Sequence, residues 1–119
     1  MGNPVVHFEV TGKDGKKLQD FYSQLFGWTI KADNPMGYGI VDTGAGKGIG
    51  GGIGPTDQGD GHVTFYVEVD DPQAALDKAE QLGGKTVVGV ESIPNMVTFA
   101  LFADPEGHIV GLVASEVPS

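Results

Sequence analysis

Two short stretches of the chain concentrate groups able to move protons or hold a metal. His7 and Glu9 alternate along the first, and His62, Thr64, Tyr66 and Glu68 alternate along the second. A spacing of two places each set on one face of a β-strand. Val6, Phe8 and Val10, and then Val63, Phe65, Val67 and Val69, fall on the opposite faces. The polar sets are therefore expected on the open side of a sheet whose apolar side is buried. Three chemistries are open to them. His7, Glu9, His62 and Glu68 are ligand types that suit zinc, iron, nickel or manganese. Alternatively, Glu9 or Glu68 acts as general base, with Tyr66 or a histidine as acid or hydrogen-bond donor, in metal-free isomerisation, epimerisation or addition. Burial of facing carboxylates would raise at least one pKa for that purpose. In the third reading the carboxylates are hydrated or hydrogen-bonded to Thr64, Tyr66 or a lysine and have a structural role.

The elements that must position these residues are written twice. After the strand around Val5 to Val10, the residues Leu18, Phe21, Tyr22, Leu25 and Phe26 recur at helical spacing from about Asp14, and this stripe is expected to be core. Gly27 is placed to end that helix in a left-handed turn. Short strands at Trp28 to Ile30 and Gly37 to Val41 flank the Asn34-Pro35 turn. A Gly-rich stretch from Gly44 to Gly54 reads as a loop plus a Gly-rich strand. It lacks the Gly-Lys-Ser or Gly-Lys-Thr ending of a nucleotide loop and no helix pattern follows it. Gly54 to Gly61 then links to the second half.

That half opens with the strand Val63 to Val69. Asp71 is an N-cap with Pro72 at the first helical position, Leu76, Ala79 and Leu82 form the buried stripe, and Gly83-Gly84 stops the helix. Strands near Lys85 to Glu91, Met96 to Ala103 and His108 to Ala114 follow, the last two joined by the tight turn Asp104-Pro105-Glu106-Gly107. Each half thus reads as strand, helix and three strands, a module too small to bury much surface alone. The reading is one α+β domain over residues 1–119, with module one at about 4–54 and module two at about 61–115. The helices cover one face of a shared sheet, and the other face cups a ligand.

Composition narrows the function classes. Seven lysines and no arginine stand against sixteen acids, a net charge of −9, which argues against binding nucleic acid or anionic lipid. Without arginine there is no planar fork for a bidentate grip on a phosphate or carboxylate. The absence of cysteine removes disulfides, thiolate metal sites and a thiol nucleophile, and fits a reducing cytosol. No apolar run approaches the length of a membrane span, so a soluble cytoplasmic protein is expected.

Phe21-Tyr22-Ser23-Gln24-Leu25-Phe26-Gly27-Trp28, Val67-Glu68-Val69-Asp70-Asp71 with Ala74-Ala75-Leu76, Leu82-Gly83-Gly84 and Asp104-Pro105-Glu106-Gly107 together resemble the vicinal oxygen chelate superfamily. That group contains glyoxalases, bleomycin-resistance proteins, fosfomycin-resistance enzymes and extradiol dioxygenases. The resemblance implies paired β-α-β-β-β modules forming a cupped, mixed half-barrel sheet. In metal-dependent members it further implies a divalent ion held by His, Glu or Gln from the first and last strands of the modules. Those positions fall near Val5, Gly52, Thr64 and Gly111, none of which offers a carboxylate or imidazole.

The resemblance thus points to a branch that binds a small molecule without the usual metal ligands. No cofactor is expected, and a divalent metal on the displaced His/Glu set is the alternative. The ligand-binding candidates are His7, Trp28, His62, Thr64 and Met96, with Tyr38 and Met36 as further apolar lining. If the protein is instead a lyase or isomerase, Glu9, Glu68 and Tyr66 are the catalytic candidates. His108, beside the tight turn, is expected at the surface without a catalytic part. Members of the superfamily often dimerise, so a homodimer is expected.

Overall fold

Asp14 accepts a hydrogen bond from the Lys17 amide through its side chain, and this cap opens the first helix of the chain. The computed structural model describes residues 2–57, 59–94 and 96–115. The element order is β1 (Val5–Gly12), α1 (Gly15–Phe26), β2 (Thr29–Lys31), β3 (Gly39–Asp42) and β4 (Gly51–Pro55). It continues with β5 (Val63–Val69), α2 (Pro72–Gln81), β6 (Lys85–Ile93), β7 (Val97–Ala103) and β8 (Ile109–Ala114). This is the α+β arrangement of two β-α-β-β-β modules that the sequence implied. Gly27, with φ of 72°, closes α1, and its amide returns to the Ser23 carbonyl.

By packing, the chain divides into two compact units, His7–Thr64 and Met1–Val6 together with Phe65–Ser119. In the first unit the strands lie in the order β2-β3-β4-β1. β1 pairs parallel with β4, Glu9 opposite Gly52, and β4 and β2 pair antiparallel with β3. Val10, Val41 and Ile53 form the core, with Phe8, Leu18, Tyr22, Trp28 and Ile30 packed on it.

The second unit repeats the order as β5-β8-β7-β6, with Tyr66 opposite Gly111 in the parallel β5–β8 ladder. Val69, Leu76, Ala100 and Leu112 make its core, joined by Val67, Ala75 and Phe102. Asp71 caps α2 by accepting from the Ala74 amide, and Pro72 stands in its first turn, where its missing N–H costs nothing. The Asp104 to Gly107 turn forms as expected. The Gly107 amide donates to the Asp104 carbonyl at 2.8 Å, and the Asp104 carboxylate accepts the Glu106 and His108 amides. Those bonds, the His108 amide first, hold the Asp104 pKa below its ordinary value. His108 is exposed, its Nδ1 3.0 Å from Asp104 Oδ2.

Three expectations about burial fail, one of them at Leu82, which was expected in the buried stripe of α2 and is exposed past its end. Only Leu18 and Tyr22 of the α1 stripe reach the core, while Phe21, Leu25 and Phe26 are each more than half exposed. The helix face is apolar over a wider arc than the strands beneath it cover. On β5 the apolar face is buried only from Val67 onward. Val63 is 75% exposed and Phe65 is also exposed, because the α2 core begins at Val67 and Val69.

Leu76 is 1% exposed, and replacing it by alanine should cost about 2–5 kcal/mol of stability in urea unfolding, through lost burial plus the cavity left behind. Leu82, exposed beyond the end of the same helix, should tolerate alanine within about 0.5 kcal/mol.

Candidate functional site

The turn before β3 is built around Asn34. Its side-chain oxygen accepts the amides of Met36 and Tyr38 at 3.2 and 3.0 Å, and its amide donates to the Tyr38 carbonyl at 2.6 Å. Gln19, a buried polar residue of α1, donates to the carbonyls of Gly37 at 3.0 Å and Ile53 at 2.7 Å. Tyr38 is therefore fixed at its backbone from one side by Asn34 and at the preceding residue by Gln19.

So held, the Tyr38 ring lies across β4. A Cβ built on Gly52 would sit 1.8 Å from the Tyr38 hydroxyl, and one on Gly54 would stand 3.1 Å from the ring. Only a glycine at position 52 lets the phenol cross the strand and reach β1, where Glu9 is the residue paired with Gly52. There the Tyr38 hydroxyl donates to Glu9 Oε1 at 2.9 Å, and His7 Nε2 lies 2.9 Å from the same hydroxyl. Glu9 Oε2 is 2.7 Å from His62 Nε2. His62 is itself fixed to β1, its amide donating to Thr11 Oγ1 at 3.1 Å and its carbonyl accepting the Thr11 amide at 2.8 Å.

The result is a chain, His7–Tyr38–Glu9–His62, whose hydrogen bonds set the proton positions. The single Tyr38 proton goes to Glu9, so His7 must donate Nε2–H to the phenol oxygen, leaving the lone pair on Nδ1. Glu9 Oε2 accepts here, so His62 donates through Nε2. Burial pushes the His7 pKa below its ordinary value, with the neighbouring Glu9 opposing. His7 is therefore held neutral around pH 7. Strand alternation sets Glu9 opposite the core face of Phe8 and Val10, and it is only 9% exposed there because Tyr38 covers it. Tyr38 itself was expected only as apolar lining, and its hydroxyl is instead the centre of the network.

The remaining candidates lie elsewhere. Trp28 stacks on Tyr22 at 5.9 Å and tilts against Phe8 at 5.3 Å, packed on the Val10–Val41–Ile53 core. Thr64 is buried. In the other unit Tyr66 is buried, Met96 is exposed at the β6–β7 turn, and Glu68 is half-buried with its amide donating to the Pro4 carbonyl at 2.9 Å.

The family model described as glyoxalase-like domain matches residues 7–113. The chain belongs to the glyoxalase-like family. A search of the curated proteins finds no match to it. Among solved structures, this glyoxalase-like chain shares its fold with a glyoxalase/bleomycin resistance protein/dioxygenase superfamily member from Vibrio splendidus 12B01. That pair has a TM-score of 0.64 at 18% identity, covering 96% of this chain and 100% of the other. Methylmalonyl-CoA epimerase from Mycobacterium tuberculosis gives 0.65 at 13% identity over 96% and 88% of the two chains. The Mn(II)-bound glyoxalase from Novosphingobium aromaticivorans gives 0.63 at 16% identity over 94% of this chain and 38% of its own.

The metal of such relatives does not fit the positions the resemblance assigned. At Gly52 the room for a ligand side chain is taken by the Tyr38 phenol. At Gly111 it is taken by the Tyr66 ring, whose Cδ2 and Cε2 stand 2.4 Å from where a Cβ would be. Within the displaced set, Tyr38 stands between His7 and Glu9. Among the described residues no three His, Cys, Asp or Glu are grouped so as to hold a metal ion. Among the same residues no helix is long and apolar enough to cross a membrane.

Two outcomes check this geometry. Gly52→Ala should expel the Tyr38 ring and cost about 1–3 kcal/mol, but little in a Tyr38→Ala background, so a double-mutant cycle in urea should show strong coupling. The lowered His7 pKa gives a second. The unfolded chain takes up the His7 proton more readily than the folded one, so the His7 share of stability is complete above the ordinary value of 6.5 and falls as pH drops through it. Unfolding curves on either side of that pH should show this loss in the native protein and a smaller one in His7→Gln.

Proposed function

We propose that this glyoxalase-like protein binds a small organic molecule of mixed polarity against His7, Tyr38, Glu9 and His62, without metal coordination. The observation that supports this reading is the continuous hydrogen-bonded chain centred on Glu9. It fixes the orientation of both imidazoles. A preset pair of imidazoles beside an aromatic ring is the kind of sparse polar set that orients a ligand in a largely apolar site. Because Tyr38 and His62 already hold Glu9, the binding geometry exists before the ligand arrives, which lowers the entropic cost of association.

A second reading is favoured by the 2.7 Å contact between His62 Nε2 and Glu9 Oε2. A carboxylate behind an imidazole orients the ring and stabilises its protonated form. In a metal-free isomerase or lyase His62 Nδ1 would then take the substrate proton, and Glu9 would act through it as a positioning residue. Tyr38, whose one proton goes to Glu9, would help hold that carboxylate in place behind His62. Tyr66 and Glu68 are not needed in this scheme. Assembly as a cytoplasmic homodimer accompanies both readings, supported by the exposed Phe21, Leu25 and Phe26 of α1, and light scattering reads it directly.

A thermal-shift screen of metabolites and antibiotics should yield a compound that raises the unfolding midpoint of the native protein and fails to do so for His62→Asn. A panel without a single saturable binder, or binding indifferent to His62→Asn, would overturn the assignment. With a ligand in hand, turnover that falls sharply in Glu9→Gln while binding persists selects the enzyme over the binder.

A further inference from the structure

The dipeptide Asp-Gly occurs twice in the chain, at Asp14-Gly15 and at Asp60-Gly61. In such a pair the glycine amide nitrogen can close a five-membered ring onto the aspartate side-chain carbon, and with no Cβ on the glycine nothing shields that nitrogen. The fold treats the two copies in opposite ways. Asp14 is locked. Its side chain caps α1 by accepting the Lys17 amide at 3.0 Å, and its carbonyl accepts the Leu18 amide at 3.2 Å. Gly15 is buried at the start of the helix, where a Cβ would stand 2.4 Å from the Pro55 nitrogen. Turning the Asp14 carboxyl back onto the Gly15 nitrogen would give up the cap and disturb a close-packed turn.

Asp60 has no such hold. Its side chain is 93% exposed and pairs with Lys13 Nζ at 3.1 Å, itself on an exposed side chain, and a pair so open to water opens readily. Among the described residues the Asp60 and Gly61 amides have no hydrogen-bond acceptor. Gly59 and Gly61 on either side have φ of 68° and 86°, so the aspartate stands between two residues of wide backbone freedom. The chain is clamped only from Gly61 onward. A Cβ on Gly61 would lie 1.9 Å from the Thr11 carbonyl oxygen, and the His62 amide and carbonyl both bond to Thr11. Ring closure needs rotation about the bonds of Asp60 itself, and the Gly59 side of the chain can make that movement while Gly61 stays in place.

We propose that Asp60-Gly61 is a site of spontaneous covalent modification, at which Asp60 isomerises to isoaspartate in the folded protein while Asp14 is protected. The Gly61 amide nitrogen bonds to the carbon of the protonated Asp60 carboxyl. The amide proton and the carboxyl OH leave together as water, which closes a succinimide. Water then adds back at one of the two ring carbonyls. Breaking the bond from nitrogen to the side-chain carbonyl restores aspartate. Breaking the bond to the backbone carbonyl leaves the chain running through the side chain, with the former backbone carbonyl as a free carboxylate. Composition and mass are unchanged, and the reaction needs no reagent besides water. The product adds one carbon to the main chain directly before Gly61, ahead of the contacts that seat His62 beside Glu9. The modification uses none of the residues of the proposed small-molecule site and stands or falls without it.

The test ages the full chain at neutral pH and physiological temperature, folded in buffer and unfolded in guanidinium chloride. Isoaspartate is mapped by electron-transfer fragmentation of proteolytic peptides, which cleaves the added main-chain carbon–carbon bond. In the folded chain the yield at position 60 should exceed that at position 14 about tenfold, because reaction at Asp14 must wait for the helix cap to open. In denaturant the two yields should approach each other, since only the shared Asp-Gly sequence then decides. Asp60→Glu, which keeps the charge but would have to close a six-membered ring, should give no isomerised product at position 60. Equal yields at the two positions in the folded chain overturn the proposal. So does a folded chain that stays free of isoaspartate at position 60 over a period in which the unfolded chain accumulates it.

Discussion

Most of the polar geometry in the His7–Thr64 unit depends on one steric fact. The Tyr38 phenol occupies the space a side chain at position 52 would need, with its hydroxyl 1.8 Å from the place of the missing Cβ. Close-packed interiors leave no room for both, so glycine at 52 and tyrosine at 38 are a single choice. From it follow the hydroxyl's reach to Glu9 across the parallel β1–β4 ladder, the donor role forced on His7, and the burial of Glu9. The carboxylate is then left one oxygen for His62. Remove the phenol and two histidines and a glutamate remain on the same face without the group that orders their protons.

The same constraint acts at Gly52 and Gly111, the two strand glycines at positions that the resemblance assigns to metal ligands. A glycine inside a strand weakens it unless something large packs on the gap. Here the gap at Gly52 is filled by Tyr38 and the gap at Gly111 by Tyr66, each within its own unit. Restoring a carboxylate at either position would require displacing a ring, and at Gly52 it would also break two hydrogen bonds to the phenol. In both places a ring restores the packing that the glycine leaves open.

How far the sequence carried this account depended on the range of the interactions involved. The α2 start at Asp71-Pro72 and the Asp104 to Gly107 turn were legible because the chemistry that forms them lies within a few consecutive residues. The paired modules were legible because the same order of local signals occurs twice. His7, Glu9 and His62 were legible as candidates by strand alternation, but their union was not, since it runs through Tyr38, a residue that lies between the Asn34-Pro35 turn and the start of β3, where strand alternation gives no direction. Burial was misread for a related reason. Helical periodicity identifies the apolar face of α1, but it does not say how wide a strand surface lies beneath. Phe21, Leu25 and Phe26 therefore counted as core while only Leu18 and Tyr22 reach it.

The two tyrosines also bear on what the internal repeat preserves. Tyr66 lies on β5 directly opposite Gly111 in a parallel ladder. Tyr38 precedes β3, which pairs antiparallel with β4, and it reaches Gly52 diagonally. Equivalent gaps are thus filled from non-equivalent places in the two modules, so the pairing of ring and glycine is not a copied motif. It is what close packing selects wherever a strand glycine leaves a hole that a neighbouring ring can reach. In the first module the ring's polar end meets a carboxylate flanked by two histidines. The repeat therefore supplies the scaffold twice, and the position from which the gap is filled decides which half carries the acid–base chain.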